Sequence, residues 1–225
     1  MFRKELVIFS GLALAVFLLV SVVASFLVRE VGRDGEMMAK DTVPGLVNAG
    51  EAINRLTENW VNTYRLLGLE SGEARARLIR QINANTTKPN WARYSRAIYT
   101  EEDLRLFKQV EASRGTFVFA RSQCFQLVTD GRMEEAKAFF EVKLRPAFER
   151  YRSDAVNILL FNAREGAKRA DRLIYLARWT PYALAAFCVM VLLAGVFVGF
   201  KASMGAFSGG WTHVPTVESR DAGPV

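Results

Sequence analysis

Histidine is nearly missing from this chain of 225 residues: His213 is its one example, and only two cysteines, Cys124 and Cys188, accompany it. Two thiols cannot build a disulfide framework, and neither metal binding nor imidazole catalysis has the clustered ligands it needs. A glycine-rich phosphate loop and a nucleophile elbow are also missing. Acid pairs such as Glu101-Glu102 and Glu134-Glu135 are adjacent, so they point to different helix faces and read as first-turn acids. The expectation is a protein that is not an enzyme and carries no metal or cofactor. Only six prolines interrupt the chain, and strand-like alternation is missing, so long helices are expected.

Charge is the next absence. No charged side chain occurs from Leu6 to Val28 or from Pro181 to Phe200. Each run is long enough to cross a hydrocarbon layer as a helix, the one form in which an isolated segment satisfies its own backbone there. A cleaved signal peptide competes for the first run, but its apolar core is usually ~7–15 residues, and an uncleaved anchor fits better. Arg3 and Lys4 before the first span and Lys201 after the second place both ends in the cytoplasm. The organisation expected is therefore a cytoplasmic N-terminus over 1–5, transmembrane helices over 6–28 and 181–200, an extracytoplasmic domain over 29–178, and a disordered cytoplasmic tail over 201–225. A Gly195, Gly199 pair in the second span matches the small-residue spacing that lets membrane helices approach closely.

The middle segment holds about 26 Lys and Arg against about 20 Asp and Glu, so nearly all of the net +7 lies there. Such a surface attracts anions. Its basic residues alternate with acids instead of clustering among aromatics, so nucleic acid is not an expected partner. Cys124 reads as a small buried residue.

Four helices account for this segment. The first continues from the membrane with apolar positions at Leu46, Ala49, Ile53, Leu56, Trp60, Tyr64 and Leu67, after an irregularity at Pro44-Gly45. The second covers about Glu73 to Ala84 and resumes after Pro89, with Leu78, Ile82, Tyr94 and Ile98 inward. Thr100 with Asp103 three residues on forms an N-cap for the third, whose inward positions are Leu104, Phe107, Val110, Phe117 and Val128. Asp130-Gly131-Arg132 closes it. The fourth runs from Met133 past Pro146, which should offset its first turns, through Leu144, Phe148, Tyr151, Ala155 and Ile158 into the second span. The fold class expected is all-α, a membrane-anchored antiparallel four-helix bundle between two transmembrane helices.

Arg55, Asn59 and Asn62 fall at i, i+4 and i+7 and make a polar stripe on the first helix, extended by Arg65. Arg145, Arg150 and Arg152 lie near Pro146, at the same end. Asn162 falls among core positions, where a buried asparagine fixes register between helices.

The stretch from Thr100 to Asn162, with its Gly-Arg-x-Glu-Glu-Ala turn at Gly131 to Ala136, Pro146 and core Asn162, resembles the ligand-binding region of methyl-accepting chemotaxis receptors in its four-helix-bundle form. The likeness extends over about residues 1 to 200. It implies a sensor that binds a small anionic ligand near the far end of the bundle, between two subunits, with arginines gripping a carboxylate. Arg55, Asn59, Asn62, Arg65 and Arg152 are the residues it nominates, since the planar guanidinium pairs both carboxylate oxygens at once. It also implies a homodimer, or a mixed dimer with full-length receptors, in the bacterial inner membrane with the bundle in the periplasm. Such receptors continue past the second span into a linker and a cytoplasmic coiled coil, whereas only Lys201 to Val225 follows here. The competing expectation is a scaffolding membrane protein whose bundle binds another envelope protein.

Overall fold

The computed structural model describes residues 2–208, and no strand occurs among them. The helices are α1 (Phe2–Met37), α2 (Val43–Leu66), α3 (Gly72–Ala84), α4 (Lys88–Tyr94), α5 (Glu101–Thr129), α6 (Met133–Phe139) and α7 (Arg145–Ser208). The described residues form two compact units: residues 32–173, and residues 2–31 with 174–208.

Within 32–173 the four bundle helices are α2, the broken pair α3 and α4, α5, and α6 continuing into α7. Two prolines shape it in the same way. The chain widens into a π-turn over Met38–Thr42, two residues before Pro44, and again over Phe140–Leu144, two residues before Pro146. Proline has no N–H for the carbonyl four residues back, and its ring crowds that carbonyl. In both places the preceding residue reaches one step further: Val43 N–H bonds Met38 O, and Arg145 N–H bonds Phe140 O. The offsets expected at Pro44 and Pro146 are therefore π-turns inside continuous helices.

The helix starts follow the expected chemistry. Thr100 Oγ1 accepts from Asp103 N–H at 3.1 Å to open α5, and Ser71 caps α3 in the same manner. Gly131, at φ +77°, lets Arg132 N–H turn back to Leu127 O at 2.9 Å and closes α5. The break between α3 and α4 falls at Asn85 to Thr87, inside the expected stretch.

The core follows rows of alternating three and four residues. On α2 the buried row is Gly45, Ala49, Ala52, Leu56, Asn59, Thr63 and Leu66. The apolar row expected there is corrected at its far end: Tyr64 is 64% exposed, and Trp60 is half-buried, its ring stacked on Phe140 and Phe148 at 4.6 and 4.1 Å. Leu104 is likewise exposed at 41%, because its neighbour Asp103 takes the inward position one heptad before Val110. Ile82, Tyr94, Val110, Phe117, Val128, Phe148, Tyr151, Ala155 and Ile158 are buried as expected. Cys124 is fully buried, and burial pushes its thiol up to about 11. Across the bundle Tyr151 OH accepts from Trp91 Nε1 at 2.6 Å and shares a 2.9 Å bond with the Thr87 hydroxyl.

In the other unit, α1 and α7 are long and apolar enough to cross a membrane. They enclose an apolar crevice of about 170 Å³ between Leu19–Leu27 and Thr180–Phe187. Pro181 does not interrupt α7; the Thr180 hydroxyl bonds Leu176 O at 2.6 Å beside it. Trp179 packs between Tyr175 and Tyr182, an aromatic group of the kind that sits at a membrane boundary. A Cβ added at Gly199 would meet nothing within 4 Å, so that glycine serves no close approach within the described chain. The tail is corrected in part: α7 continues through Lys201 to Ser208, and residues 209–225, with His213, lie outside the described residues.

Candidate functional site

The stripe nominated on α2 divides between two environments. Asn59 and Asn62 are buried, at 2% and 7% exposure, while Arg55 and Arg65 are exposed. The reason is the row described above: a 3.5-residue repeat carries the inner face through Asn59. There its amide nitrogen bonds Asn85 O at 2.6 Å, satisfying a carbonyl that the end of α3 leaves open. Arg55 Nη1 bonds Asn85 Oδ1 at 3.1 Å, and Asn85 Nδ2 bonds Glu58 Oε2 at 2.9 Å. Arg55 and Asn59 thus converge on one loop residue. No hydrogen bond or ion pair joins Asn62, Arg65 or Arg152 to that group or to one another among the described residues.

The carboxylate partners of the arginines sort them further. Arg145 is paired with Glu141 at 2.6 Å and Arg150 with Asp154 at 3.1 Å, one turn along the same helix. Among the described residues Arg65 and Arg152 have no ion pair, and Arg55 bonds a neutral amide. These three guanidinium groups keep their capacity for an incoming carboxylate.

A second polar group lies in the core, and three of its members are legible singly in the sequence, Asn162 and Tyr94 as core residues and Asp103 as a cap position. Asp103 is 2% exposed, and its Oδ1 accepts from Tyr94 OH at 2.5 Å. Asn162, also 2% exposed, donates to Tyr94 OH at 2.5 Å and to Ile158 O at 3.0 Å. Nearby, Arg169 Nη1 bonds Asp41 Oδ2 at 2.9 Å and Thr42 Oγ1 at 2.5 Å. Two close backbone approaches hold α2 and its π-turn on α7. A Cβ at Gly45 would stand 2.5 Å from Asn162 Oδ1, and one at Gly166 would stand 2.6 Å from Thr42 Cγ2. One heptad before Asp41, Asp34 and Arg172 lie 3.6 Å apart as a separate ion pair. The π-turn, α4, α5 and α7 all contribute, so one polar crossbar ties the four bundle helices at a single level.

Its electrostatics are unbalanced. Burial raises the Asp103 carboxyl above the ordinary carboxylate range, against the Tyr94 hydrogen bond that lowers it, and the negative charge of Asp41 raises it further. Burial and the bond to Asp103 push the Tyr94 phenol up. Arg121, flanked by the Phe117 and Phe125 rings at 5.6 and 5.8 Å, is a half-buried cation of a different kind, stabilised by aromatic faces, with no carboxylate partner among the described residues.

A family model described as a four helix bundle sensory module for signal transduction matches residues 3–172. The chain belongs to that family. The matched range contains α1 through α6 and α7 as far as Arg172, so the stripe and the crossbar both belong to the sensory module. No curated protein matches the chain.

Proposed function

We propose that this sensory module lies outside the cytoplasm of a bacterial cell, anchored in the inner membrane by two spans, and binds a small anionic ligand near the end of the bundle formed by Arg55, Arg65 and Arg152. The observation that carries this reading is that, among the described residues, those three guanidinium groups are free of carboxylates while Arg77, Arg132, Arg145 and Arg150 are ion-paired. Asn59 supports the site from behind by fixing α2 against the loop at Asn85, and both it and Asn62 are buried and do not face a ligand directly.

The working unit is a homodimer, or a mixed dimer with a longer receptor, joined through the outer face of α2. Val43, Val47, Val61 and Tyr64 are exposed there at 49%, 53%, 52% and 64%, and with Asn54 they fall on a second 3.5-residue row. Such a seam is what two helices need in order to pack knobs into holes. A ligand acts on this dimer only through unequal affinity for its arrangements.

The test is thermal melting of the full chain in detergent against a panel of amino acids and organic acids. Selective binding to the folded state raises the melting temperature. At least one carboxylate is expected to stabilise wild type and to stabilise Arg55→Gln, Arg65→Gln or Arg152→Gln less. Stabilisation that survives all three substitutions would place the ligand elsewhere, and no stabiliser in the panel would count against the small-ligand reading.

A further inference from the structure

Two carboxylates, Asp41 and Asp103, enter the buried crossbar, and one arginine enters with them. Arg169 is committed to Asp41 and Thr42. Asp103 is left with a neutral phenol as the hydrogen-bond partner of its side chain. An ionised carboxylate taken out of water without a cation is costly, and the usual outcome is that the group holds its proton to a higher pH.

We infer that the crossbar is a proton-responsive clamp, which holds α4, α5, α7 and the π-turn together more firmly when Asp103 is protonated. The groups that act on Asp103 are Tyr94 from α4 and Asp41 from the π-turn, and behind them α7 supplies Asn162 to the Tyr94 hydroxyl and Arg169 to Asp41. Tyr94 stays neutral throughout, and Asp41 has Arg169 as its hydrogen-bonded partner, so Asp103 is the carboxylate without a cation and the member that changes. A neutral carboxyl still accepts the Tyr94 hydrogen through its carbonyl oxygen, so the bond survives while the buried charge disappears. The direction follows from linkage. A carboxyl whose folded-state affinity for protons exceeds that of the unfolded chain makes folding take up a proton. Its penalty is complete above the raised folded value. It is relieved as pH falls through that value toward the ordinary carboxylate range near 3.8. The clamp is separate from the arginine end of the bundle and needs no ligand.

The experiment compares wild type with Asp103→Asn, as full chains in detergent, by thermal melting between pH 7.5 and 5. Asparagine keeps an oxygen for Tyr94 and removes the charge. Wild type is expected to gain several degrees on acidification relative to the variant, and the variant is expected to melt higher than wild type at pH 7.5. Parallel curves would overturn the proposal. If Asp103→Asn fails to fold, the Asp103 carboxyl of ¹³C-labelled wild type is titrated directly. A midpoint above the ordinary aspartate range supports the clamp, and one at or below that range overturns it.

Discussion

Gly166 shows how tightly a single position can fix two helices. It faces Thr42 Cγ2, and Thr42 cannot rotate away without losing the bond between its Oγ1 and Arg169. Alanine at 166 would improve helix propensity by about 1 kcal/mol and would force a clash costing about 1–3 kcal/mol. Gly166→Ala is therefore expected to destabilise wild type. In a Thr42→Ser background the methyl is gone and the Arg169 bond is kept, so the same change should become stabilising. Denaturant melts of the four chains check this, and an effect of the same sign in both backgrounds would mean the contact is not tight.

The same residues explain what the sequence could and could not disclose. The row Leu144, Phe148, Tyr151, Ala155, Ile158 announces a buried face, and Asn162, Gly166 and Arg169 continue it in steps of three and four. Asp103 stands seven residues before Val110, which stands seven before Phe117, and all three are buried. Thr42 begins the row that runs through Gly45 and Ala49 on α2. The polar crossbar was thus written as polar interruptions of apolar rows. Asn162 was legible because one helix row sufficed. Asp41 with Arg169, and Tyr94 with Asp103, needed the pairing of helices that are distant in sequence. Asp103 was further disguised by its position as the third residue after an N-cap threonine, where an acid is ordinary.

Among the elements, α2 carries the clearest case of two faces with different duties. Helix periodicity was readable, as were the caps and breaks at Thr100, Asn85 to Pro89 and Gly131. The phase of the face was less so. Aromatic Trp60 and Tyr64 drew the expected row one position off, whereas the buried row selects Asn59 and Thr63 because each finds a hydrogen-bond partner inside, Asn59 at Asn85 O and Thr63 at Asn59 O. This placement predicts a cross-linking pattern. In a background with Cys124→Ala and Cys188→Ala, Asn54→Cys is expected to give a disulfide-linked dimer in membranes, and Asn62→Cys is not. A dimer band at 62 and none at 54 would put the second chain on the wrong face of α2.

At the scale of the whole molecule, the chain carries two apolar helices that can span a membrane and a charged, polar-locked bundle, and family membership assigns that bundle to sensing. The fold class was legible because uncharged runs and helical repeats are local properties. The ligand is not, because the arginines that would hold it are recognised by the carboxylates they lack. The most direct measurement of the account is the side of the membrane on which the bundle stands. Ser122 is exposed on α5, so Ser122→Cys in the same cysteine-free background supplies a reporter thiol. A maleimide that cannot cross the inner membrane is expected to label it fully in cells whose outer membrane alone has been opened. Labelling that appears only after the inner membrane is broken would contradict the account.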